Sequence, residues 1–239
     1  MEYKQQVITQ LRQDLLKWEG YKAPALGQPN LLGLGPLEGV FPNGVFPKSS
    51  VHEMVCASSE QAAASGGLIS GILSLLMQRN GVCVWIGRDR RLFAPSLSSF
   101  GVEPHQVIFI SLMNDKDTLW VMEEALKCPG LTAVICELRD MNFKQSRRFQ
   151  LAVEHSRVTG FVLRNASAKL GSTACAARWS VKPLPSAVMG NLPGIGHFRW
   201  QVDLLKVRNG KTGSWILEWH DGHFVPVIEP VIQEERQVG

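Results

Sequence analysis

Six residues of this chain hold the place where phosphate chemistry would be expected. Ser58, Ser59, Glu60, Gln61, Ala62 and Ala63 follow the apolar stretch 51–56 and lead into a helix-forming stretch. A phosphate-binding loop at such a strand-to-helix turn needs the pattern GxxxxGK(S/T). Its glycines let backbone N–H groups wrap the phosphates, its lysine neutralises the terminal ones, and its hydroxyl holds magnesium. Here Gln61, Ala62 and Ala63 stand where glycine, lysine and serine or threonine would. Glu60 adds negative charge where an anion would sit. Loss of the lysine alone removes a charge-assisted bond worth roughly 1.5–3 kcal/mol. The residues predict no useful ATP affinity, no cofactor and no ATPase activity. Gly66 and Gly67 fall inside the helix pattern with no lysine nearby, so they do not restore the loop.

Two basic runs stand out, Arg88, Arg90 and Arg91 in one and Lys144, Arg147 and Arg148 in the other. They read as a solvated face, with an acidic partner or a DNA backbone as the functional alternative. No aromatic ladder is interleaved with them, so base stacking is not indicated. His220 and His223 have metal-like spacing but flank a turn, with only Asp221 as a third donor, and read as a turn pair. Serine, histidine and aspartate occur without a nucleophile elbow. No catalytic constellation emerges.

The elements that must position these residues alternate between two types. Stretches 51–56, 82–86, 107–112, 132–136 and 160–164 are short apolar strand candidates. Helical patterns at 62–79, 92–100, 117–127 and 143–157 lie between them. Leu68, Ile72, Leu75 and Leu76 share one helix face, as do Leu119, Met122 and Leu126, with Asp115 or Asp117 as the cap of the latter helix. Continuous apolar strands separated by helices predict a mostly parallel α/β sheet covered on both faces. After residue 175 the pattern changes to strands at 178–181, 198–207 and 214–219. Asn209-Gly210 and Asp221-Gly222 are hairpin signals, so an antiparallel meander closes the domain.

Residues 1–19 read as an amphipathic helix with Ile8, Leu11, Leu15 and Trp18 on one stripe. Residues 20–48 carry five prolines and six glycines, a linker composition. The core domain is expected over 49–227 and a loose tail over 228–239. The stripe either docks on another protein or packs on its own domain, because an isolated helix of this length is marginal.

Composition bounds the rest. The chain has 239 residues, 45% hydrophobic and 19% charged, with a net charge of +4. That suits one globular domain and excludes a disordered chain. The five cysteines are odd in number and have no CxxC spacing. Reduced, buried thiols and a cytoplasmic location follow as expectations. No apolar run reaches membrane-spanning length, so no membrane partner is expected.

Over residues 37–227 the ordered motifs resemble a RecA core. They are LEGVFPNGVFPKSSVHEMVC, GVCVWIGRDRRLFAPSLSSFGVEPHQVIFISL, DTLWVMEEALKCPGLTAVICEL and LLKVRNGKTGSWILEWHDGHF. VHE before an SxEQAAA loop, with RDRRLFAPSL after the second strand, looks like the ImuA group, RecA/SulA-like accessory proteins of error-prone DNA repair. The resemblance implies a RecA-like fold and a role in damage-induced, SOS-type translesion synthesis through protein–protein contacts. Its implied partners are an ImuB-like polymerase relative and a specialised replicative-type polymerase, with RecA itself a further one. The RecA catalytic glutamate would fall at Gly87-Arg88-Asp89, and the magnesium-side acid at Glu137, here expected on the surface or at a cap. The two DNA-contacting loops shrink to 139–142 and 165–172, which implies weak or no direct DNA binding. The alternatives are a regulator that binds RecA or a cell-division protein, and a RecA-type ATP-dependent DNA-binding protein.

Overall fold

The computed structural model describes residues 7, 10, 11, 31–78, 80–88, 92, 94–165, 170–187 and 196–227. Among the described residues, five strands with three α-helices between them and a closing meander build one sheet. In chain order the elements are β1 (Val51–Cys56), α1 (Ser59–Met77), β2 (Cys83–Gly87), β3 (Val107–Ser111), α2 (Asp115–Leu126), β4 (Ala133–Leu138), α3 (Phe143–Ser156) and β5 (Thr159–Asn165). The strands β6 (Ala177–Ala187), β7 (His197–Val207), β8 (Gly213–His220) and β9 (His223–Pro226) follow. The strand order is β3-β2-β4-β5-β1-β6-β7-β8-β9. Pairing is parallel from β3 to β6 and antiparallel from β6 to β9.

Alternation along each buried strand sends residues to two separate cores. On one face Met54, Trp85, Phe161 and Trp179 pack with Leu68, Ile72 and Leu73 of α1. On the other, Val84, Val134 and Val162 pack with Met122 and Leu126 of α2 and Phe149 and Val153 of α3. The hairpin reading at Asn209 holds: Asn209 has φ 58° between β7 and β8, and Asp221 and Gly222 have φ 47° and 79° between β8 and β9.

Four expectations need correction or placement. The segment 31–48, expected as linker, belongs to the core: Leu32, Leu34, Leu37, Phe41 and Phe46 are buried against the α1 face. The organising group is Glu38, whose buried carboxylate accepts from the N–H groups of Leu32 (2.6 Å), Gly33 (3.1 Å), Leu34 (3.2 Å) and Phe46 (3.3 Å). Glycines and prolines here serve turns folded around one carboxylate, with Gly33 and Gly35 at φ 94° and 63°. The helix expected at 92–100 is a 3-10 helix over Ala94–Phe100. Asn114, not Asp115 or Asp117, caps α2, its side chain accepting from the Lys116 N–H. Ile8, Leu15 and Trp18 lie outside the described residues. Leu11 is helical and 57% exposed.

The α1 glycines have a packing reason. A Cβ at Gly71 would lie 2.6 Å from Phe224 Cζ and 3.0 Å from Trp219 Cζ3. Gly→Ala inside a helix ordinarily stabilises by about 1 kcal/mol. At Gly71 the overpacking against two rings, typically about 1–3 kcal/mol, opposes and exceeds that gain. Gly71→Ala is therefore expected to lower the urea midpoint of unfolding. A raised midpoint would show that the rings move aside freely.

Candidate functional site

In an open α/β sheet, ligands bind beyond the carboxyl ends of the parallel strands. Here that edge is formed by Cys56, Gly87, Leu138 and Asn165, the last residues of β1, β2, β4 and β5. The β1–α1 connection is only Ala57 and Ser58. Ser58 is the N-cap, and its hydroxyl accepts from the Gln61 N–H at 3.3 Å. The Gln61 side chain in turn accepts from the Ala57 N–H at 2.9 Å. Two of the N–H donors that a phosphate loop would offer to a ligand are thus taken by the chain's own side chains. Glu60, in the first turn, is exposed, and its carboxyl is held below its ordinary range. The Ser58 hydroxyl is the main cause, followed by its own backbone N–H and the Ser59 hydroxyl. Ala62 and Ala63 add no donor or charge. No lysine follows them in α1.

Glu137 departs from the expectation of a surface or cap residue. The β2–β4 ladder ends at Ile86 and Cys136, with Trp85 opposite Ile135, so Gly87 and Glu137 follow just beyond it. The Trp85 indole N–H donates to Glu137 Oε1 at 3.0 Å. A Cβ on Gly87 would sit 3.2 Å from the same carboxylate. The site therefore holds Glu137 by an indole and a close backbone approach, in a cleft shared with Leu92, Phe109 and Ser111. Sequence reasoning missed Trp85, whose apolar run gave no sign that its N–H faced a carboxylate.

Behind this edge lies a buried ionic network. Glu53, in mid-β1, is fully buried. Its Oε1 accepts from Arg164 at 3.0 Å and its Oε2 from Arg178 at 2.8 Å. Arg164 also pairs with Asp140, and Arg178 donates to the Gly171 carbonyl at 2.7 Å. The neighbouring His52 faces the α1 core instead. Its ring stacks on Phe46 and Phe161, with centroids at 4.5 and 5.4 Å. Trp179 Nε1 donates to His52 Nδ1 at 3.3 Å, so His52 Nε2 carries the proton and donates to the Pro47 carbonyl at 3.0 Å. The VHE motif is thus structural at both polar positions.

The described members of the two basic runs are separated along α2. Arg88 donates to the Met113 carbonyl and pairs with Asp115 at the start of α2. Arg148 of α3 pairs with Glu123 two turns later. Acids on α2 neutralise part of each run. Lys144 and Arg147 are exposed on α3, and Arg90 and Arg91 lie outside the described residues. Of the two candidate DNA loops, 139–142 joins β4 to α3, and 165–172 lies in part outside the described residues, with Thr173 and Cys175 just after it buried. Of the five cysteines, Cys56, Cys83, Cys136 and Cys175 are buried free thiols and Cys128 is exposed. Burial pushes Cys83 and Cys175 up to about 12. Among the described residues, no helix is long and apolar enough to cross a membrane.

This sheet order, with its degenerate loop and closing meander, defines a RecA-like α/β domain. A KaiC-like protein from Pyrococcus horikoshii superimposes with a TM-score of 0.54 at 11% identity, covering 84% of this chain and 99% of that one. SulA from Pseudomonas aeruginosa matches half of the chain with a TM-score of 0.42 at 15% identity, too low to define a shared fold. No family model matches. The protein ImuA of Caulobacter vibrioides, in two strains, is 31% identical over 212 residues, covering 83% of this chain and 84% of the relative. The chain belongs to the ImuA family.

Proposed function

We propose that this chain is a non-catalytic accessory protein of error-prone DNA repair that acts through protein contacts, with an ImuB-like polymerase relative as its partner. The observation that carries the reading is the two-residue β1–α1 connection. The Gln61 side chain takes its Ala57 N–H, the Ser58 hydroxyl takes the Gln61 N–H of the first helical turn, and the lysine position is Ala62. A loop this short has no backbone left to wrap a triphosphate. Exposed apolar side chains support a contact role. Ile108 and Phe109, on the edge strand β3, are 50% and 37% exposed. Met113 and Trp120, in the connection and helix that follow, are exposed as well. An edge strand with such side chains offers unpaired backbone groups to another chain.

Calorimetry of the full chain against the ImuB-like protein, with and without ATP and magnesium, tests the reading. The expected result is no heat with nucleotide alone and an unchanged partner affinity when nucleotide is added. Micromolar ATP affinity, turnover above background, or binding that requires ATP would overturn it.

A further inference from the structure

We propose that His197 and His220 form the seat of a transition-metal site, with His223 as its third ligand. The pairing register supports it. Phe198 pairs with Trp219 across β7 and β8, which sets His197 directly opposite His220. His220 in turn pairs with His223 across β8 and β9. Directly opposed residues share a face, so three imidazoles stand in one row across three antiparallel strands. The sequence showed only the turn pair, because His197 comes from a strand more than twenty residues earlier.

Each of the two turn histidines has one nitrogen held by Asp221. His220 Nε2 lies 3.1 Å from the Asp221 carboxylate, so Nε2 holds the proton and Nδ1 keeps its lone pair. His223 Nδ1 donates to the Asp221 carbonyl at 2.7 Å, which leaves His223 Nε2 as its free donor atom. Metal-binding histidines are oriented in this way, one nitrogen anchored to an acceptor and the other offered to the ion. The His197 ring lies 3.9 Å from that of His220, and its Nε2 is buried without a hydrogen-bond partner. A buried, unpaired imidazole nitrogen is unfavourable, and a cation beside it relieves that cost. Among the described residues no three donors yet converge on one point. The adjacent His197 and His220 rings are the nucleus of the proposed site, and side-chain rotation, that of His223 included, is needed to bring the three donors together. Imidazole donors select zinc, copper or nickel over magnesium or calcium.

The test is titration of chelator-treated full-length protein with zinc and with copper(II), for the unmodified chain and for His197→Asn, His220→Asn and His223→Asn. We expect one ion per chain, with affinity at least about tenfold weaker in the first two variants and a smaller loss in the third. Nitrogen-15 NMR of the unmodified protein, independent of any variant's folding, should show the ring nitrogens of His197 and His220 shifting on zinc addition. Absence of uptake would overturn the proposal. So would uptake unchanged in both of the first two variants, or ring shifts confined to other histidines.

Discussion

Replacing Glu53 with alanine is expected to cost about 3–5 kcal/mol of folding stability, the range for removing one partner of a buried ion pair. The wild-type carboxylate is fully buried and neutralises two guanidinium groups whose side chains are 5% and 11% exposed. Without it, Arg164 retains Asp140 and Arg178 retains the Gly171 carbonyl. Neither contact replaces a carboxylate at the centre of β1. Arg164 Nε is already buried without a partner, so the network has no spare acceptor. A loss of this size is a large share of the roughly 5–15 kcal/mol that holds a domain together. The consequence reaches the site edge, because Arg164 holds Asp140, just after β4, and Arg178 holds the Gly171 carbonyl ahead of β6. Urea denaturation followed by circular dichroism measures the effect. A loss below about 1 kcal/mol would mean that water reaches the two arginines. Replacing Glu53, Arg164 and Arg178 together by apolar residues of similar volume should recover most of the stability, since paired buried charges contribute little net.

Acid should destabilise the protein well above the carboxylate range, through His52. Desolvation by complete burial lowers this imidazole from its ordinary 6.5 to about 4, against the opposing hydrogen bond to Pro47. The unfolded chain therefore takes up a proton near pH 6.5 while the folded protein does not. The stabilisation is fully present above pH 6.5, shrinks as pH falls, and is lost once pH passes the folded value of about 4. At about 1.4 kcal/mol per pH unit, the full effect is about 3 kcal/mol, of which about 2 kcal/mol is gone by pH 5. Protonation of Nδ1 would also set two donors against each other, because Trp179 Nε1 points at that atom. Urea midpoints between pH 7.5 and 5 measure the slope, and proton NMR of the ring tracks its titration. A His52 signal titrating near 6.5 would show that the aromatic layer of Phe46, Phe161 and Trp179 admits water.

The nucleotide-site reading and the ionic network differ in how far the sequence reveals them. The phosphate-loop question is local: Gln61, Ala62 and Ala63 occupy consecutive positions, and their chemistry follows from residue type alone. The structure added that the connection is two residues long and that the Ser58 and Gln61 side chains take the N–H groups of Gln61 and Ala57. Alternation of apolar strands with periodic helices was equally local, and it placed β1 to β5 and α1 to α3 within a few residues of their bounds. Residues 31–48 misled because glycine and proline content describes turns and linkers alike. Only Glu38, gathering four N–H groups, distinguishes them.

By itself, then, the sequence determined the elements, the parallel-to-antiparallel change and the missing lysine, because each depends on neighbours within one turn or strand. The tertiary structure alone decided what the buried polar residues do. Glu53 meets Arg164 and Arg178 at separations of 111 and 125 residues, and Trp85 meets Glu137 at 52. His197 meets His220 only because two antiparallel strands share a register. A buried polar group must find a partner, but its type does not say which one, since that choice is made by strand order and register across the sheet.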